Sequence, residues 1–402
     1  MKILLISNKF PFPPRDGGSL ATCNMIRGLA ESGNNVDLLL MNTSKHFTEN
    51  AGSKIDIKGL NKVKIVNIDN SVRLFSLVFN FAFSKLPYSA VRFTSSRFKS
   101  ALLQLLKDND YGIIQLEGLF LAPYLKLIRD NSNAAIVYRA HNVEHLIWHM
   151  LYLRETNFLK KWYLGVLYSR IRKYETGFIN TYDLLVTITG NDLEILNSLG
   201  NSKPSIVAPF GMYSQGLSQS KPVRSDHLCI LYIGALDWMP NIEALDWFLK
   251  NVWPVVSKKF PEMVFRVAGR NAKKNFLKNF AEKGVIFHGE VDNAGVFLGE
   301  NGIVVVPLFS GSGIRVRIIE AMFAGRPVIA SSAAVSGIPV VNEINILLAD
   351  DCERFVHYIE KLVADQEFAS FIGVNARHFA LKNYENRRIT EDLADFYKKN
   401  LL

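Results

Sequence analysis

Short apolar, β-branched runs alternate with longer stretches of helical period from the first residues onward, and this alternation starts twice along the chain. The first series predicts strands over residues 2–8, 36–41, 62–68, 111–116, 134–139, 182–188 and 205–208, a helix over 20–32, and helical stretches between most of the others. Runs rich in Val, Ile and Leu are buried on both faces, and intervening helices supply the cover, so the pattern predicts a mostly parallel sheet. Residues 209–226, PFGMYSQGLSQSKPVRSD, interrupt it with Gly, Ser, Gln and Pro and read as a linker. The alternation resumes with strands over 228–233, 263–268, 285–287, 303–307 and 327–330 and helices over 241–259, 272–283 and 314–324. The expected class is therefore α/β, two Rossmann-like doubly wound domains over 1–208 and 227–380, with a C-terminal helix over 381–402 crossing back to the first. Ligands of such sheets sit at the carboxyl ends of the strands, and two sheets facing each other leave a cleft.

Size and composition narrow the class further. The chain has 402 residues, too many for one small core and suited to two domains of about 200 each. With 49% hydrophobic and 21% charged residues it is neither disordered nor fibrous. Cys23, Cys229 and Cys352 show no C-x-x-C spacing, which excludes a disulfide framework or a cysteine zinc site and favours a reducing cytoplasm. No apolar run reaches the roughly 18 residues of a spanning helix, and four apolar positions before Ser7 are too few for a signal-peptide core. The net charge of +10 is uneven: residues 1–220 hold 25 Lys and Arg against 16 Asp and Glu, residues 221–402 hold 22 against 21. An anionic partner is expected at the first half.

The segment VVVPLFSGSGIRVRIIEAMFAGRPVIAS, residues 304–331, carries the most chemistry. A buried strand ends in Gly311, Ser312 and Gly313, and a helix opens at once with Arg315, Arg317 and Glu320. Glycines admit close backbone approach, and the helix start presents unpaired N–H donors and partial positive charge, which outlines an anion site. Two cations in a first turn oppose the macrodipole by about 0.3–1 kcal/mol each, and an anionic ligand would reverse that sign. The alternative is a tight turn beside solvated arginines. Glu320, three residues after Arg317, either pairs with it or accepts hydrogen bonds from sugar hydroxyls.

A second glycine loop, Gly17 and Gly18, follows the first strand and leads into a helix, yet it is neither G-x-G-x-x-G nor a P-loop, so dinucleotide oxidoreductases and P-loop ATPases lose weight. His141 in RAHNVEH lies at a strand's carboxyl end. His145 and His149 follow at spacings of four, but no H-E-x-x-H or carboxylate set completes a metal site, so they read as ordinary helix residues and His141 as the functional candidate.

These residues resemble the GT-B glycosyltransferases, specifically the retaining glycosyltransferase family 4, over nearly the whole chain. YIGALDWMPNIEAL, VAGR, FHGEV and above all PLFSGSGIRVRIIEAMFAGRPVIAS carry the likeness. The resemblance implies an N-terminal acceptor domain and a C-terminal nucleotide-sugar donor domain. It places Gly17 and Gly18 against the donor diphosphate or the reacting sugar, and has His141 hydrogen-bond the transferred sugar. Gly234 would begin the donor loop, Gly269 and Arg270 lie near the nucleotide, and Val291 meet the base through its backbone. Glu320 matches the second glutamate of the family's Glu-x7-Glu signature, which binds the ribose. The first would fall at Ser312, and the family's basic pair near Ala235 and Asn241, so Arg270, Arg315 and Arg317 are the substitutes for phosphate neutralisation.

The activity implied is retaining transfer of a sugar from a UDP- or GDP-linked donor to a glycan or lipid-linked acceptor in cell-surface polysaccharide synthesis. Helix starts and guanidinium groups stabilise the leaving diphosphate, and no D-x-D-like pair appears in a suitable loop, so neither a metal nor another cofactor is expected. Basic residues interleaved with aromatics, Arg73, Lys85 and Arg92 in residues 70–107 and Lys160 and Lys161 in residues 148–174, fit an anionic membrane surface as well as they fit the solvated rim of a core. No base-reading motif accompanies them, so nucleic acid is not expected. A cytoplasmic protein, peripheral at the membrane's inner face, follows. The alternatives are a non-catalytic GT-B subunit that binds a nucleotide sugar or scaffolds a partner, and an epimerase of the same fold with Glu117 and Glu320 as its acids.

Overall fold

A computed structural model describes the whole chain except residues 15, 45–46, 56, 85, 215–228, 273–283, 292–293, 310–314 and 402. The expected helix over 272–283 lies almost entirely outside these described residues. The chain forms two compact units, Met1–Gly211 with Asn386–Leu402, and Met212–Glu385.

The first unit holds a seven-stranded sheet ordered β3-β2-β1-β4-β5-β6-β7. Its strands are β1 Lys2–Ser7, β2 Asn35–Thr43, β3 Leu60–Ile68, β4 Ile113–Glu117, β5 Ala135–Ala140, β6 Leu184–Thr187 and β7 Ser205–Val207, paired in parallel throughout. Side chains alternate between the faces of the sheet. Leu4, Ile6, Ile114, Leu116, Ile136 and Tyr138 enter one core with the helix Ser96–Asp108, and Ile3, Leu5, Ile113 and Val137 enter the other. The second core is closed by the helix Gly17–Glu31, through Met25, Ile26 and Leu29, and by the helix Asn386–Leu401, through Ile389, Leu393 and Tyr397. Each fully buried aliphatic contributes about 1.5–3 kcal/mol.

The second unit holds a six-stranded parallel sheet ordered β10-β9-β8-β11-β12-β13. Its strands are β8 Cys229–Ile233, β9 Val264–Ala268, β10 Val285–Gly289, β11 Gly302–Val306, β12 Val328–Ala330 and β13 Leu347–Leu348. Among the described residues twelve strands match the expected alternation, and the thirteenth, β13, has two residues, too few to leave a pattern. The expected helix over 241–259 is instead three pieces: an α-helix Met239–Trp247, one wider π-turn Phe248–Val252, and an α-helix Trp253–Lys259. Pro254 has no N–H to donate into a regular turn, and the wider turn accommodates that loss.

Candidate active site

In each sheet the strand order reverses direction once, between β1 and β4 in the first unit and between β8 and β11 in the second. Such switch points open crevices at the carboxyl ends of the strands, where ligands of open α/β sheets bind. Several of the residues singled out from the sequence lie beside these switch points.

In the first unit the focus is Glu117, the last residue of β4. Its parity puts it, with Gln115 and with Arg139 of β5, on the face covered by the helices Gly17–Glu31 and Asn386–Leu401. Oε2 of Glu117 accepts from Arg139 Nη1 at 2.8 Å, from Thr22 Oγ1 at 3.1 Å, and meets His141 Nε2 at 2.7 Å. Oε1 accepts from Gln115 Nε2 at 2.5 Å, and Gln115 Oε1 in turn accepts from the Tyr397 hydroxyl at 2.5 Å. Burial alone would raise the Glu117 carboxyl, but the Arg139 charge first, then the hydrogen bonds of His141 and Gln115, outweigh it and hold the group well below the ordinary carboxylate range. Held ionised, it is not poised to give up a proton at neutral pH.

His141 is pushed the other way. Burial lowers its pKa more than the bond and charge of Glu117 raise it, so the ring is neutral at pH 7. A neutral ring facing a carboxylate carries its proton on Nε2, which leaves Nδ1 as an acceptor for a hydroxyl. The glycine loop lies beside it. Asp16 caps the helix by accepting from Ser19 N at 2.7 Å, while Ser19 Oγ accepts from Asp16 N at 2.9 Å, a reciprocal capping box. Lys9 Nζ binds Asp16 Oδ1 at 2.9 Å. Burial would raise the Asp16 carboxyl, but that lysine and the Ser19 bonds bring it down to about 2. A Cβ on Gly18 would stand 2.8 Å from Lys9 Nζ, so a glycine lets the lysine approach the helix start. Gly17 is the first residue of that helix.

His145 is buried. Its Nδ1 meets Glu175 Oε2 at 2.6 Å, and Glu175 also accepts the backbone N–H groups of Glu144 and His145, which anchors the start of the helix Glu144–Arg154. His149 stacks on Tyr168 at 4.7 Å. Neither ring joins His141.

In the second unit the loops after β8 and β9 interlock. Gly234 N donates to Ala268 O at 3.1 Å and Leu236 N to Arg270 O at 2.9 Å. A Cβ on Gly269 would lie 2.4 Å from the Gly234 carbonyl oxygen, and one on Gly234 would lie 2.9 Å from Asn241 Nδ2. Asn241 closes the loop by donating to Ala235 O at 2.9 Å, and its own carbonyl accepts from the Tyr232 hydroxyl at 2.7 Å. Arg270 and Val291 follow the ends of β9 and β10, and neither is fully buried.

After β11 the helix Val316–Phe323 begins, with Arg315 as its N-cap. The Arg315 guanidinium lies 5.2 Å from the centre of the Trp238 ring, and burial lowers its pKa to about 10. Glu320 is buried and accepts from Arg317 Nη1 at 2.5 Å, so the pairing open to it from sequence is formed. Gly311, Ser312 and Gly313 lie outside the described residues, as does Lys85.

The described basic residues of this set lie in the first unit. Arg73 pairs with Asp69 at 2.7 Å, and Arg92 Nε donates to Asn70 O at 2.8 Å, so these two arginines hold the segment before the helix Leu74–Phe83. Lys161 lies 5.5 Å over the Tyr152 ring, and Lys160 is exposed.

Arg139, Thr22 and Lys9 were not singled out from the sequence, and Glu117 entered only as an acid for epimerisation. The signal was present: IIQLE and AIVYRA each place a charge at or next to the end of a mostly apolar strand. A fully buried charge is found paired, and adjacent parallel strands are where its partner lies. Among the described residues no group of three or more His, Cys, Asp or Glu is placed to hold a metal ion, and no helix is long and apolar enough to cross a membrane.

Residues 227–365 match the family model described as glycosyl transferases group 1. Over its full length the chain is similar to an uncharacterized 44.6 kDa protein in the cps region of Klebsiella pneumoniae, with 25% identity covering 99% of this chain and 100% of the relative. Among solved structures it resembles sucrose-phosphate synthase from Thermosynechococcus elongatus, with a TM-score of 0.70 and 17% identity over 99% of this chain and 98% of that one. It likewise resembles HepE of Anabaena in complex with UDP, with a TM-score of 0.67 and 14% identity over 99% and 100%.

Proposed function

We propose that this chain, whose two doubly wound sheets make the GT-B fold and whose second unit carries the group 1 glycosyl transferase match, is a glycosyltransferase. It moves a sugar from a UDP- or GDP-linked donor to a glycan or lipid-linked acceptor. It works in the cytoplasm, in cell-surface polysaccharide assembly, with retention at the anomeric carbon and without a metal ion. The relative in a cps region and the UDP bound by HepE support the pathway class and the donor class.

The observation that carries this reading is the buried Glu320 tied to Arg317, with Arg315 at the head of the same helix, beside the β8–β11 switch point. A diphosphate there would meet two guanidinium groups and a helix start, which offset the charge that develops as it leaves. In this reading Glu320 binds the ribose, and His141 accepts at Nδ1 from a hydroxyl of the transferred sugar. With front-side displacement the departing phosphate oxygen takes the acceptor proton, so no paired glycosidase carboxylates are required.

The test is nucleotide release and product formation by the full chain with UDP- and GDP-sugars. Glu320→Ala and Arg317→Ala are expected to lower turnover about 100-fold or more while circular dichroism stays unchanged. Wild-type rates from both variants would overturn the assignment. Product NMR reads the anomeric configuration, and undiminished activity in EDTA is the metal-independent outcome. One observation favours a second reading as a binding subunit: Ala235 and Asn241, at the family's basic positions, are engaged in closing their own loop. In that case donor would stabilise the fold, by about 2.7 kcal/mol at 100 times its Kd, with no nucleotide released.

A further inference from the structure

The helix Leu74–Phe83, LFSLVFNFAF, places Phe75, Phe79 and Phe83 four residues apart, hence on one face. The start of the helix Phe158–Phe178 adds Phe158, Leu159 and Trp162. All six side chains are between 58 and 83% exposed, although four are phenylalanines and one is tryptophan. Single exposed apolar residues are ordinary, whereas a group of six large ones on two adjoining helices marks an interaction surface.

The helices are joined beneath it. The Phe81 ring meets Trp162 at 5.7 Å and Tyr163 at 5.8 Å. Arg170 donates from Nη2 to Phe81 O at 2.6 Å and from Nη1 to Asn80 O at 3.3 Å, satisfying carbonyls at the end of the short helix. The apolar face is therefore built into the first unit and directed outward.

Charge chooses the partner. Residues 69–107 and 148–174, which contain these helices, hold twelve Lys and Arg and two acids, Glu155 and the Arg73 partner Asp69, a surplus equal to the net +10 of the entire chain. Aromatic side chains among cations match the interface of an anionic bilayer, where rings enter the headgroup region and cations meet phosphates. We infer that this two-helix face docks the protein on an anionic lipid surface, the inner leaflet of the cytoplasmic membrane. The docking involves none of the residues assigned to sugar transfer, so its failure and the failure of the transferase reading are distinguishable.

The test is flotation of the full chain with vesicles of phosphatidylglycerol and phosphatidylcholine in equal parts, against phosphatidylcholine alone. The wild type is expected to float with the anionic vesicles only, and less at high salt. Two variants separate the contributions: Phe75→Ser with Phe79→Ser and Phe158→Ser removes apolar contact, and Lys160→Glu with Lys161→Glu reverses charge. Each is expected to reduce partitioning about tenfold or more while circular dichroism and donor-dependent nucleotide release stay unchanged. Absence of the wild type from anionic vesicles, or flotation of both variants equal to that of the wild type, overturns the inference. So does a dimer in sedimentation that the phenylalanine variant dissociates without any vesicle binding, since a second copy would then be the occupant.

Discussion

Replacing Glu117 by Gln tests the buried network at its centre. The carboxylate accepts from four side chains, and Arg139 is fully buried with no other acceptor among the described residues, where its Nε and Nη2 have no hydrogen-bond partner. A glutamine in the same place turns one acceptor into a donor. On the Oε2 side it would face Arg139, Thr22 and His141; on the Oε1 side it would face the Gln115 amide. In either orientation the Arg139 charge loses its counter-ion, and removing one partner of a buried pair costs about 3–5 kcal/mol. Because the folded carboxyl titrates below the unfolded value near 4.5, its stabilisation is present above that pH and is lost as pH falls through the lower folded value. The deficit of Glu117→Gln is therefore full at pH 7 and shrinks in acid. Two units need not unfold together, so the measurement is hydrogen exchange of peptides covering β4 and β5 across a urea series. The double variant Glu117→Gln, Arg139→Met should lose less than the two single losses added, since both charges are gone. A loss below about 1 kcal/mol at pH 7, or strictly additive single changes, would refute the pairing as the source of stability.

Other outcomes follow from local geometry. Burial and the neighbouring Glu175 charge raise the Glu144 carboxyl to about 7, so the folded state is favoured below the unfolded value near 4.5 and that advantage disappears as pH rises through 7. Glu144→Gln should accordingly stabilise the first unit at pH 8 by on the order of 1–3 kcal/mol relative to its effect at pH 5, read by thermal unfolding at both; no difference between the two pH values counts against it. Gly269→Ala drives a methyl to 2.4 Å from the Gly234 carbonyl oxygen, and backbone cannot yield cheaply. A loss of about 1–3 kcal/mol in the second unit is expected by urea unfolding, with donor affinity reduced alongside as the loop shifts.

The alternation of apolar runs and helical stretches determined the class of fold by itself. A strand whose every residue is apolar must be covered on both faces, and that requirement is local. The helix that follows β11, with Arg315 and Arg317 at its start, was legible for the same reason: the change from an apolar strand to a helical period is local. The strand order was not legible. The reversals between β1 and β4 and between β8 and β11 depend on which edges pair, and they make Thr22, Glu117 and His141 neighbours although 95 and 24 residues separate the bonded pairs. Tyr397 reaches Gln115 across 282 residues because the last helix covers the sheet of the first unit. Nor did the sequence distinguish a core phenylalanine from a docking one at 75, 79, 81 and 83, since period four describes both. Only the packing of Phe81 against Trp162 shows which rings turn inward and which remain in water.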